Sequence, residues 1–142
     1  MILFTIGFTK KDARKFFTLL RRPGLKRVVD VRLNNTSQLA GFTKKGDIEF
    51  FLKEICGLDY VHLPELAPTA EIMEAGRKGD RGSWERDFLA LLASRRIEDT
   101  LPRDLLDGGC LLCSEAKPED CHRRLVAGYL REKWGEIDIH HL

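Results

Sequence analysis

A chain of 142 residues has the size of one domain and buries about two-thirds of its unfolded surface, so folding requires neither a disulfide nor a metal. With 43% apolar and 32% charged residues, and 12 glycines and 5 prolines scattered along it, the composition is globular and excludes a disordered chain. The net charge of +2 is unevenly spread: residues 1–46 carry eleven Lys/Arg against Asp12 and Asp30, while residues 47–142 carry thirteen against twenty Asp/Glu.

Met1 is followed at once by Ile2-Leu3-Phe4, with no basic leader, long apolar core or cleavage site, so no signal peptide is expected. No apolar run is long enough to span a bilayer, and no membrane partner is expected. Four cysteines in that setting predict reduced thiols in the cytoplasm.

The run ending Phe4-Thr5-Ile6-Gly7 reads as a strand, and residues 10–22 then switch to helical spacing, with Ala13, Phe16, Phe17 and Leu20 on one face. Lys11, Lys15 and Arg22 fall on the opposite side, which favours a solvated helix face over a phosphate-binding patch. Pro23-Gly24 stops the helix, and Arg27-Val28-Val29-Asp30-Val31 is a second strand rich in β-branched residues. Thr43 caps a helix through about Ile55, with Ile48, Phe51, Leu52 and Ile55 inward, and Asp59–Leu63 is a third strand.

Residues 64–83 form a long Pro/Gly-bearing excursion with a short helical piece near Ala70–Ala75, expected to be a lid or rim in which Glu65, Arg77 or Arg81 touches a ligand. Ser83 can cap the next helix, whose stripe is Trp84, Phe88, Leu91 and Leu92. Leu101–Asp107 is a connector. Gly109-Cys110-Leu111-Leu112-Cys113 suits a strand covered on both faces. Pro118 suits the first turn of a last helix reaching about Trp134, and Ile137–His140 is a final strand.

Alternating strands and helices predict a single α/β domain over 1–142: a mostly parallel sheet of about five strands with helices on both faces, layered as in Rossmann-like or flavodoxin-like proteins. Ligands in such sheets gather beyond the carboxyl ends of the strands, here at Gly7–Thr9, Asp30–Arg32, His62–Pro64 and Ser114-Glu115.

Chemistry concentrates in Leu112-Cys113-Ser114-Glu115 and Cys121-His122-Arg123-Arg124, around one strand-to-helix turn. With Leu125, Val126, Tyr129 and Leu130 inward, His122 falls near the centre of the buried face, Cys121 and Arg123 on its flanks, and Arg124 toward solvent. His122 can shuttle protons or be a satisfied core histidine. Glu115 can be a general base, a nucleophile or half of an ion pair with Arg123, which also suits a ligand carboxylate or phosphate. Cys121 gains from a helix start but is opposed by Glu119 and Asp120.

Cys110 and Cys113 are three apart in a strand, so they point to opposite faces and pair poorly. Zinc held by Cys113, Cys121 and His122 is disfavoured, because their spacing matches no common site and a fourth ligand is not evident. Asp30 and Arg32 share a face and can orient each other or grip a polar ligand, and Asn34 to Gln38 offers amides and hydroxyls that also simply make turns. There is no P-loop, dinucleotide loop, Gly-x-Ser-x-Gly elbow or phosphatase-type Cys loop.

Thr5-Ile6-Gly7, Asp30-Val31-Arg32, Leu112-Cys113-Ser114-Glu115 and Cys121-His122-Arg123 together resemble the family catalogued as domain of unknown function 488. Asn34-Asn35-Thr36-Ser37-Gln38 and Leu66-Ala67-Pro68-Thr69 look like one branch of it. The resemblance implies an α/β fold with a shared pocket and brings no established reaction. Many relatives carry His after the Thr-Ile-Gly start, whereas Phe8 stands here, which voids any proton transfer at that position.

The leading expectation is an enzyme for a polar, anionic substrate such as a nucleotide, nucleic-acid base or phosphate ester. Glu115, His122, Cys121 and Asp30 are its catalytic candidates, and Arg32, Arg123, Thr9, Asn34, Ser37 and Ser114 its binding candidates, with no cofactor. The alternatives are a non-catalytic nucleic-acid-binding module, suggested by the basic first third, and a metal-supported structural or interaction domain.

Overall fold

The computed structural model describes residues 1–36, 41–79, 81–115 and 121–142. Five strands, β1 (Ile2–Gly7), β2 (Arg27–Asp30), β3 (Asp59–His62), β4 (Gly109–Cys113) and β5 (Asp138–His141), form one sheet in the order β3-β2-β4-β1-β5. Every pairing is parallel. The register sets Val29 beside Leu111 and Asp30 beside Leu112, so β2 and β4 are direct neighbours, an order the sequence does not encode locally.

Chain direction decides which face each helix covers. The steps from β1 to β2 and from β2 to β3 run one way across the sheet, and the steps to β4 and β5 run the other way. Right-handed crossovers therefore put α1 (Ala13–Leu20) and α2 (Asp47–Phe51) on one face, and α3 (Ala70–Arg77), α4 (Arg81–Arg95), α5 (Ile97–Thr100), α6 (Arg103–Leu106) and α7 (His122–Trp134) on the other. The two cores agree. Phe16, Phe17, Leu20, Ile48 and Leu52 pack on Phe4, Ile6, Val28 and Cys110, while Phe88, Leu92, Leu125, Val126 and Leu130 pack on Val29, Val31, Leu111 and Cys113. Cys110 and Cys113 thus lie on opposite faces, as strand alternation requires.

Local chemistry sets most element ends. Asp12 caps α1 by accepting from the Lys15 amide at 2.8 Å, and Thr69 caps α3 by accepting from the Ile72 amide at 3.2 Å. Lys15 on α1 and Arg22 just beyond its end are exposed, as expected of a solvated face, whereas Lys11, before its start, is partly buried. Several boundaries differ from the sequence pattern. The helix expected from Thr43 to Ile55 is a 3-10 turn at Gly41–Thr43, then α2, then a π-helical turn over Leu52–Cys56. Those changes of pitch leave Ile55 41% exposed. The helix α4 begins at Arg81, so Ser83 lies inside it, and Trp84 and Leu91 are only partly buried beside Phe88 and Leu92. The connector at Leu101–Asp107 contains α6. Cys121 is the N-cap of α7, and Pro118 lies outside the described residues. Among the described residues no helix is long and apolar enough to cross a membrane.

Gly7 fixes the turn that follows β4. A Cβ built there would collide with the Glu115 carbonyl and lie 2.8 Å from Nη1 of Arg123. That guanidinium group, fully buried, donates to the Glu115 carbonyl and, through Nε, to Oγ1 of Thr5 at 3.3 Å. Replacing Gly7 by Ala should therefore destabilise the protein by about 1–3 kcal/mol or more through overpacking. Chemical denaturation monitored by circular dichroism checks this, and a stability equal to that of the wild type would show that the contact is not tight.

Candidate functional site

A cavity of about 550 Å³ opens where the segments after β2 and β4 diverge. The chain leaves β2 toward the α2 face and leaves β4 toward the α7 face, so the strand ends part there, as at other ligand-binding switch points of parallel sheets. Arg32, Leu33 and Asn34 border it on one side, Cys113, Ser114, Glu115, Cys121 and His122 on another. Pro68, Met73, Gly76, Arg77, Gly79, Arg81 and Trp84 complete it, so the excursion over residues 64–83 supplies one wall. Arg77 and Arg81 border the cavity, and Glu65 does not.

The floor is built by two elements. Strand β4, held between β1 and β2, ends in Cys113, and α7 begins at Cys121-His122. The Nε2 of His122 lies 2.7 Å from the Val31 carbonyl. A carbonyl only accepts, so Nε2 carries the proton and the neutral ring has its lone pair on Nδ1. Sγ of Cys113 lies against the ring, 3.5 Å from Nδ1 and 4.0 Å from Nε2, and Sγ of Cys121 lies 3.9 Å from Nδ1. The edge of the His122 ring meets the Phe88 ring at a 5.6 Å centroid distance. Burial, chiefly, lowers its pKa to about 4, with Arg123 adding to the shift, while the Val31 carbonyl and Asp30 oppose it. The ring is therefore neutral near pH 7 and a weak base, so it orients and accepts more readily than it shuttles protons.

The two sulfurs of Cys113 and Cys121 are joined in a disulfide, with Cα atoms 7.0 Å apart. That corrects the expectation of four reduced thiols: Cys56 and Cys110 are free, and the other two meet because the strand end and the helix start converge. The donor atoms of Cys113, Cys121 and His122 all lie within 4.8 Å of one another, a grouping able to hold a metal when the thiols are reduced.

Asp30 does not join this floor. Along β2 the side chains alternate, so Val29 and Val31 face α7 while Val28 and Asp30 face α1 and α2. There Asp30, fully buried, accepts from Arg32 through Nε at 2.9 Å and Nη2 at 2.8 Å, and from the Tyr60 hydroxyl at 2.6 Å. The rest of the Arg32 guanidinium donates to Thr43, at 3.3 Å to its hydroxyl and 2.6 Å to its carbonyl, and lies over the Phe8 ring at 5.4 Å. Asn35 donates to the Tyr60 oxygen at 3.1 Å. The catalytic candidate Asp30 and the anion-binding candidate Arg32 thus form a buried, mutually satisfied pair, although Arg32 borders the cavity. Desolvation and the Asp30 carboxylate together push the Tyr60 phenol well above its usual pKa.

The other candidates divide as well. Arg123 donates to Thr5 and to the Glu115 carbonyl and is not among the residues that line the cavity, so in this structure it acts as a clamp on the segment after β4. Its partner at Glu115 is the backbone carbonyl, and Glu115, an exposed residue, is among those that line the cavity. The hydroxyl of Thr9 donates to the Ser114 carbonyl, whose oxygen also accepts the Thr9 amide at 3.0 Å, so Thr9 pins the turn from outside the cavity. Asn34 accepts from the amide and hydroxyl of Thr36 at 2.9 and 2.8 Å and still borders the cavity. Ser37 lies outside the described residues. Arg124, expected in solvent, pairs with Glu85 on α4 at 2.6 Å.

A family model described as "Domain of unknown function DUF488" matches residues 12–130. The chain belongs to that family. No curated protein and no solved structure matches it. The DUF488 match spans the segments that build the cavity, from Arg32 to His122, and leaves the Thr5–Gly7 clamp outside it. Sequence reading missed Trp84 and Met73 as cavity walls, because a partly buried residue on an amphipathic helix looks like core. It also missed Tyr60, which the parallel register of β2 and β3 brings to Asp30, and Thr43 and Asn35, which bond to Arg32 and Tyr60 from the segment after β2.

The Asp30 network yields a graded prediction. Asp30→Asn strands the buried Arg32 charge and should cost roughly 3–5 kcal/mol. Tyr60→Phe removes one hydrogen bond and should cost about 1 kcal/mol, or somewhat more because its acceptor is charged. Urea unfolding of both variants checks the order, and equal losses would show that the ion pair is not the dominant partner.

Proposed function

We propose that this chain is an enzyme acting on a polar, anionic substrate, of the nucleotide, nucleobase or phosphate-ester class, bound in the cavity beyond β2 and β4. The observation that carries this reading is the convergence of the Cys113–Cys121 pair, His122 and the exposed Glu115 on one cavity. Structural sulfur and histidine clusters need no open cavity with a carboxylate beside them.

The cavity chemistry suggests which end of a substrate goes where. Trp84 and Met73 offer a flat aromatic face and an adaptable thioether, both suited to a planar base. Arg77 and Arg81 offer guanidinium groups for a phosphate or carboxylate. The ion pair of Arg77 with Glu74 is long, at 3.6 Å, and mostly exposed, so a ligand anion can compete for it. Glu115 is the group that moves protons, His122 holds the neighbouring sulfurs in place, and Cys121 or Cys113 reacts in its reduced form. We place the protein in the cytoplasm, where thiols stay reduced. Residues 64–83 serve as the rim of the site.

Titration of the protein with a panel of nucleoside monophosphates, read by tryptophan fluorescence, tests the binding half. Quenching that disappears in Trp84→Phe, where Trp134 alone remains, is the expected result. For any member of the panel that is turned over, Glu115→Gln should lower kcat by roughly 10²–10⁴-fold with the fold intact. Binding only to oligonucleotides, weakening steeply as salt rises, would instead identify a nucleic-acid-binding module.

A further inference from the structure

We infer that, with both thiols reduced, Cys113, Cys121 and His122 bind one divalent transition-metal ion of the zinc class, whose fourth coordination position opens into the cavity. This goes beyond the enzyme reading, because the ion would bind whether or not the cavity turns a substrate over.

The distances carry the argument. In a tetrahedral site with metal–sulfur bonds of about 2.3 Å and a metal–nitrogen bond of about 2.0 Å, each nitrogen–sulfur edge is about 3.5 Å and the sulfur–sulfur edge about 3.8 Å. Nδ1 of His122 already lies 3.5 Å from Sγ of Cys113 and 3.9 Å from Sγ of Cys121. Two of the three edges therefore have ligand spacing. The third needs the sulfurs to part on reduction, and Sγ of Cys113, now 4.0 Å from Nε2 as well, to swing toward the ring plane, which side-chain rotation permits with Cα atoms 7.0 Å apart.

Orientation supports the same reading. The hydrogen bond from Nε2–H to the Val31 carbonyl fixes the ring and leaves Nδ1, the nitrogen nearer Sγ of Cys113 and 3.9 Å from Sγ of Cys121, with its lone pair bare, as metal-binding histidines are commonly held. Cys113 is anchored by the sheet, and Cys121 and His122 by the start of α7, so all three donors sit on rigid elements. Two soft sulfurs and an imidazole select zinc-class ions over magnesium or calcium, which prefer oxygen. Charge balances too: binding releases one proton from each thiol, and two thiolates neutralise the ion while the imidazole donates its lone pair.

Spacing along the chain hides this site, since the donors come from a strand end and a helix start eight residues on. The missing fourth ligand is the feature that leaves a coordination position open for water or substrate. Glu115 borders the same cavity but is not in the donor group, so it would face the open position without holding the ion. The disulfide form lacks both thiolates and would not bind, which makes occupancy depend on the redox state of this pair.

Full-length protein reduced with a phosphine, its free thiols counted, is titrated with cobalt(II) or zinc(II) and examined by native mass spectrometry and absorption. One ion per chain and, for cobalt, thiolate charge-transfer with tetrahedral ligand-field bands are expected. Cys121→Ser and Cys113→Ser should each weaken binding at least 100-fold while thermal melting shows a folded chain, and Glu115→Gln should leave occupancy unchanged. Cobalt spectra of the wild type decide the matter even if a variant fails to fold. Four free thiols with no retained ion, a Cys113–Cys121 bond that resists the reductant, or binding indifferent to Cys121→Ser would each overturn the proposal.

Discussion

The hydrogen bond from Nε2–H of His122 to the carbonyl of Val31 ties the start of α7 to the end of β2, two elements separated by ninety-one positions in the chain. Without it either nitrogen of the imidazole could carry the proton. The acceptor is a strand-end carbonyl at the point where β2 stops pairing, so the sheet itself supplies the partner. Burial of the ring against Phe88 keeps water from competing for that carbonyl and keeps the imidazole neutral.

Strand β2 serves both faces of the sheet at once. Its backbone orients the cavity floor on the α7 side, while Asp30 on the opposite side anchors Arg32, Tyr60 and Thr43 into a closed polar core. A buried carboxylate and guanidinium that satisfy each other fully specify the path of the segment after β2. That path delivers Leu33 and Asn34 to the cavity wall. On the other side of β4, the clamp of Arg123 on Glu115 and Thr5, admitted by the bare backbone of Gly7, sets the path after β4. The residues of the cavity floor thus rest on one buried ion pair and one guanidinium clamp on backbone and hydroxyl oxygens.

The architecture was legible because periodicity reports burial directly. Val28 to Val31 and Gly109 to Cys113 read as strands from their apolar runs, and the inward face of α7 placed His122, Cys121 and Arg123 in the interior, where all three are buried. Roles were harder to read because the sign of an interaction depends on strand order. Asp30 and Arg32 at alternate positions look like a ligand grip until the neighbouring β3 contributes Tyr60. Arg123 beside Glu115 looks like an ion pair, yet the contact is with the carbonyl. The meeting of Cys113 with Cys121 brings a strand end to a helix start, which no residue spacing encodes.

The protonation site of the His122 ring tests this account most directly. A long-range proton–nitrogen correlation spectrum of reduced, chelator-treated protein labelled with nitrogen-15, with the His122 signals assigned by comparison with His122→Gln, reports which ring nitrogen carries hydrogen near neutral pH. A neutral ring protonated at Nε2, with Nδ1 bare, is the expected result. A ring protonated at Nδ1, or doubly protonated at that pH, would contradict it.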